Sequence, residues 1–158
     1  MTQNKRTICL LTLLAVLGWI QRAPAQTGKK IYAQKLVDET LAKHPEVVIL
    51  AFHATPPGGQ ENVIIASNIG RIGKKADEDD LRVIQTGKPN LEVNEKGDHF
   101  EVELVLQEQS GKTIGAAGVV FPFKPGTDKA KLQKSAELIR DEIRKLTPNL
   151  EKLFEPVA

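Results

Sequence analysis

Two helical stripes, one clear pair of alternating strands and a short unbroken apolar run set out the architecture of this chain. From Ile31 to Lys43, Ala33, Leu36, Val37, Thr40 and Leu41 recur at helical spacing, with Lys35, Asp38, Glu39 and Lys43 on the opposite side. Pro45 ends this helix by pushing its neighbour out of the helical region. Val47 to His53 is nearly all apolar and rich in β-branched residues, as expected of an inner strand buried on both faces. The turn at Thr55-Pro56-Pro57-Gly58-Gly59 leads into a second strand, 62–68, and the short connection makes the pair antiparallel.

Asp77-Glu78-Asp79-Asp80 then introduces Leu81, Val83 and Ile84, and acidic residues stabilise a first helical turn. Gly87 stops that helix, and 91–93 is a candidate edge strand. The clearest hairpin joins 100–107 to 112–121 through Gln109-Ser110-Gly111. In it Val102, Leu104 and Leu106 alternate with Glu101, Glu103 and Gln107, which predicts one dry and one wet face. Gly115, Ala116, Ala117 and Gly118 predict a close approach by a helix, a backbone or a ligand. A last helix, 128–146, carries Leu132, Ala136, Ile139, Ile143 and Leu146 as a stripe too short for a coiled coil, and Leu150, Leu153 and Phe154 predict one more docked turn. This order predicts one α+β domain, an antiparallel sheet with its helices on one face.

Ahead of the domain, Lys5 and Arg6 precede an apolar run from Ile8 to Ile20, and Ala23-Pro24-Ala25 follows. This is the pattern of a secretory signal peptide, with cleavage expected after Ala25 because Pro24 disfavours a cut before it. The run covers 13 positions, fewer than the roughly 20 of a membrane span, so cleavage is expected over retention as an anchor. Cys9 lacks the context of a lipoprotein cysteine. The expected organisation is therefore a signal peptide over 1–25 and a single domain over 26–158, located in the periplasm or secreted.

Removal of the leader changes the chemistry left open. It takes away the only cysteine, so the exported chain has neither disulfide nor thiolate and depends on its core for stability. The leader holds Lys5, Arg6 and Arg22 but no acid, so the formal charge falls from +2 to −1. No cationic excess remains to bind a polyanion, and nucleic acid is not an expected partner.

Several segments, in order, resemble the extracytoplasmic PAS-like sensor domains of bacteria, of the PDC or Cache type. They are His44-Pro45 before Val47–Phe52, Ile64-Ile65-Ala66-Ser67-Asn68, Arg71-Ile72-Gly73-Lys74, Asp79-Asp80, Gly87-Lys88, and Val102–Leu106 with Ser110-Gly111-Lys112-Thr113-Ile114-Gly115. The resemblance covers about residues 30 to 123. It implies a five-stranded antiparallel PAS-like sheet with N- and C-terminal helices packed on it. It also implies a small ligand held between the sheet and the segment linking strands two and three. The hairpin has Gln107-Glu108-Gln109-Ser110 where amino-acid-binding members carry an acid near the turn, so ligand class does not carry over. Receptors of this type have membrane helices and an output module; neither is expected here beside the single domain, so signalling would need a membrane receptor partner.

The candidate ligand-binding residues are His53, Ser67, Asn68, Arg71, Lys88 and His99. His53 ends the first strand on the face of Val47, Ile49 and Ala51, and Arg71 offers a bidentate partner for a carboxylate, so an organic acid is the expected ligand class. No paired-histidine metal spacing, nucleophile elbow or phosphate loop occurs, and Asp77–Asp80 lacks the ligand alternation of a calcium loop. No catalytic residue, metal or cofactor is expected. Two other classes stay open: a protein-interaction module using a sheet edge or the helix stripe, and a metal-binding or weakly catalytic protein resting on the scattered histidines.

Overall fold

The computed structural model describes residues 29–157. The expected signal peptide and its cleavage site lie outside the described residues. The elements are α1 (Tyr32–Lys43), β1 (Ile49–Ala54), β2 (Val63–Ser67), α2 (Glu78–Thr86), β3 (Asn90–Val93), β4 (His99–Gln107), β5 (Thr113–Pro122), α3 (Lys129–Lys145) and α4 (Leu150–Leu153). They form an α+β fold around one antiparallel sheet with strand order β2-β1-β5-β4-β3.

Strand periodicity assigns each side chain to a face. Leu50 and Phe52 of β1 stand beside Val119 and Ala117 of β5, which in turn oppose Val102 and Leu104 of β4. These residues make the main core with Ala33, Leu36 and Val37 of α1, Ala136, Ile139 and Ile143 of α3, and Leu153 of α4. Leu146, expected in the α3 stripe, is instead exposed just past the helix end.

The other face carries Ile49, Ala51 and His53 of β1 next to Val120, Gly118 and Ala116 of β5 and Glu101, Glu103 and Val105 of β4. Here α2 packs, its Val83 buried against Val105 and Ala116. The expectation of helices on a single face is thus corrected: α1, α3 and α4 cover one face and α2 covers part of the other. Val47 also departs from expectation, lying in the helix-covered core rather than on the His53 face.

Local chemistry fixes the position of α2. Asp77 accepts hydrogen bonds from the backbone N–H groups of Asp79 and Asp80, and Asp80 accepts from that of Asp77, a reciprocal capping box. Gly87 ends the helix at φ +70°, a left-handed conformation that glycine adopts without a Cβ clash. Upstream, Ile64 N–H donates to the Lys74 carbonyl and Gly73 N–H to the Ile64 carbonyl. The segment after β2 is thereby pinned back along β2 before it reaches the helix.

Candidate functional site

Because α2 covers only part of its face, the sheet between it and β3 is left open as a cavity of about 180 Å³. Ile49, Ala51 and Val120 form its apolar floor, and His53, Asp80, Glu101 and Glu103 project into it. Ser67, Arg71 and Lys74 border it on the β2 side, and Asn90 and Glu92 on the β3 side. A second cavity adjoins the first along Ile49, Glu92, Glu101 and Val120 and extends to Asn94 and His99.

Two small residues make this geometry possible. At Gly115 a Cβ would lie 1.9 Å from the His53 carbonyl oxygen, so only glycine lets β5 pass this close to β1. At Gly118 a Cβ would lie 2.7 Å from Glu101 Oε1, so the missing side chain leaves space in which the Glu101 carboxylate rests on the sheet. The small-residue run thus serves a backbone approach at one end and a carboxylate at the other.

At the deep end of the cavity His53, Asp80 and Glu103 are all buried, with 9%, 5% and 5% of their surface exposed. His53 Nδ1 lies 3.1 Å from Asp80 Oδ2. The ring orientation leaves Nδ1 without a formed hydrogen bond, so the contact is electrostatic. Burial works to raise the Asp80 carboxyl. Its contacts with His53, Glu103 and the Asp77 backbone outweigh burial and hold it well below the usual carboxylate range. Glu103 goes the other way: burial, contact with Asp80, and the charges of Asp80, Glu101 and Asp77 raise it far above that range. The two groups are thus driven apart, Asp80 toward the carboxylate and Glu103 toward the carboxylic acid. Glu101 is also raised, chiefly by burial and then by the charges of Glu92 and Asp80.

The six candidate residues divide. His53, Ser67 and Arg71 border the main cavity, and His99 lies in the adjoining one. Ser67 is committed locally, its Oγ accepting from the Ile69 N–H. Arg71 sits at the exposed rim with φ +65°, a left-handed conformation rarely adopted by a residue other than glycine. Asn68 does not enter: its side chain accepts from Leu50 N–H and donates to the Val48 carbonyl, tying the end of β2 to β1. Lys88 is exposed beyond α2, outside both cavities. The residues not singled out from sequence are the acids Asp80, Glu92, Glu101 and Glu103. Alternation in β4 marks Glu101 and Glu103 as polar-face residues, but that pattern also describes an ordinary solvated face.

The charge balance bears on the expected acid ligand. Arg71 and Lys74 are the cations at the rim, whereas Asp77, Asp79, Asp80, Glu92, Glu101 and Glu103 all border the same space. Among the described residues no cluster of three or more His, Cys, Asp or Glu side chains is arranged to hold a metal ion. No helix among them is long and apolar enough to cross a membrane.

No family model matches the chain, and no curated protein matches it. Solved structures do resemble it. The GAF domain of A. aeolicus nlh2, in an inactive state, gives a TM-score of 0.56 at 15% identity, covering 75% of this chain and 86% of that one. The Agobacterium tumefaciens repressor BlcR gives a TM-score of 0.51 at 10% identity, covering 74% of this chain and 67% of that one. At these identities the likeness shows the fold, which is of the GAF/PAS-like type.

Proposed function

We propose that this chain is an exported, non-catalytic sensor-type domain that binds a small molecule and passes the bound state to a membrane partner. One observation carries the reading: a cavity on the sheet face away from the main core, with buried polar groups directed into it. An apolar floor with a few converging polar groups is the usual form of a small-molecule site. The fold supports the same reading, since one structural neighbour is a GAF domain with an inactive state and another is a repressor. Export rests on the leader, and the PDC or Cache assignment on the ordered motifs.

Two features support the non-catalytic reading: burial and the neighbouring acids favour the protonated form of Glu103, and the Ser67 hydroxyl accepts a hydrogen bond from the Ile69 N–H in a local turn. An activated nucleophile needs a base within hydrogen-bond reach. The test is a thermal-shift screen of the purified protein against small acids, amines, sugars and nucleosides. A saturable rise in melting temperature with at least one compound, lost when His53→Ala is combined with Glu103→Ala, supports the reading. Failure of every class to bind would refute it and leave the interaction-module alternative.

A further inference from the structure

We propose that the protein carries a second small-molecule site, on the helix-covered side of the sheet, for a short aliphatic monocarboxylate held between α1 and α3. It lies apart from the cavity of the proposed function, and the inference goes beyond that reading.

Both helices pack on the sheet, yet they leave between them a cavity of about 400 Å³, within the roughly 300–1,000 Å³ of small-molecule sites. Leu36, Glu39, Thr40 and Lys43 border it from one face of α1, at spacings of three and four residues. Opposite them stand Glu142, Ile143 and Lys145 of α3, with Leu146 just past its end. Leu36 and Ile143 belong to the main core and form an apolar floor.

Three of these side chains are left in states that the fold alone does not account for. Thr40 is 8% exposed, and its hydroxyl has no hydrogen-bond partner among the described residues. The hydroxyls of Thr86 and Thr147, by contrast, each donate to the carbonyl four residues earlier. A hydroxyl buried to this degree is costly unless a ligand or water completes it. Leu146 keeps half of its surface exposed, and its carbonyl accepts from the Tyr32 hydroxyl at 2.9 Å, which fixes it at the edge of the cavity. Lys145 has no carboxylate within ion-pair distance among the described residues, whereas Lys43 pairs with Glu142 at 2.7 Å.

Together these residues define a ligand class. The acids at the rim are already matched, Glu142 by Lys43 and His44 and Glu39 by Lys35, so neither is left to draw an amine. The free groups are one ammonium and one hydroxyl, and both can donate to a carboxylate, the ammonium through a charge-assisted bond. No Phe, Tyr or Trp borders the cavity. An aliphatic body would cover Leu36, Ile143 and the exposed Leu146, with its carboxylate accepting from Thr40 and Lys145.

The test is calorimetric titration of the purified protein at low ionic strength with sodium hexanoate, hexylamine, hexanol and sodium acetate, each separately. Hexanoate should bind at one saturable site, with hexylamine and acetate weaker by roughly tenfold or more. Lys145→Gln should weaken hexanoate by about tenfold and leave hexanol unchanged. Thr40→Val keeps the shape of the side chain but removes the hydroxyl. It should weaken hexanoate and melt at or above the wild-type temperature, because an unpaired polar group leaves the interior. His53→Ala combined with Glu103→Ala should bind hexanoate as the wild type does, since those residues lie on the other face of the sheet. Equal binding of hexylamine, or a lowered melting temperature for Thr40→Val, would overturn the assignment. Hexanoate binding abolished by the His53 and Glu103 changes but untouched by Lys145→Gln would move the acid to the first cavity, overturning this proposal while supporting the reading above. Absence of hexanoate binding would overturn the proposal alone, because the first cavity is tested by its own screen.

Discussion

Asp80 and Glu103 form a pair in which two identical functional groups are driven apart by their surroundings. The consequence for stability depends on pH, with opposite signs for the two. Glu103 is raised above its unfolded value, so its contribution is fully present below about pH 4.5 and is lost as pH rises toward its folded value. Asp80 is lowered, so its contribution is present above its unfolded value and is lost as pH falls below about 4. Between pH 5 and 8 Glu103 contributes a slope of up to about 1.4 kcal/mol per pH unit for one proton, with Glu101, also raised, acting in the same direction. Glu103→Gln removes that proton, so urea midpoints of the variant should fall less steeply over this range than those of the wild type. Equal slopes would show that Glu103 does not retain its proton in the folded protein.

At the scale of elements, the helix most exposed to test is α3. Ile139 is 1% exposed against the sheet. Ile139→Asp would bury an unpaired charge there, costing on the order of 3 kcal/mol or more. A melting curve coincident with the wild type would show that the helix is not packed in this way. This helix, like α1 and the strands, was legible in the sequence because burial of one stripe or one alternating face leaves a direct imprint on residue order. Even α2 was legible as a helix, since Asp77 and Gly87 punctuate it. Its place was not, because an amphipathic stripe reports that a face is buried but not which side of a sheet buries it. That ambiguity hid the cavity roof. It also hid the acidic site, because Glu101 and Glu103 look solvated until Asp80 is brought over them. Asn68 shows the converse: a polar residue near the site whose side-chain hydrogen bonds go to the backbone at the start of β1.

For the whole molecule, the proposed export would decide the setting in which any ligand is met. The protein recovered from the exported fraction should begin Gln26-Thr27-Gly28 on N-terminal sequencing. An intact presequence in the membrane fraction would instead place the domain on an anchor, where it could report directly to a neighbour in the same bilayer.

The start of α1 has no side-chain cap, and its first free N–H, that of Tyr32, is satisfied by the Glu155 carbonyl at 2.8 Å. Ile31 pairs with Pro156, and Val157 N–H reaches the Lys30 carbonyl. The two extremities of the described chain are therefore stitched side by side, and the fold is topologically close to a ring. Whatever is attached before Lys30 and after Val157 must leave from the same spot, under the helix-covered face and away from the cavity. A ring of this kind can be opened at another surface turn, such as Pro57-Gly58-Gly59, and rejoined by a short linker with little change in the contacts that hold it. It can also be spliced as a cassette into a loop of another protein, where strain at the junction would be felt first by α1.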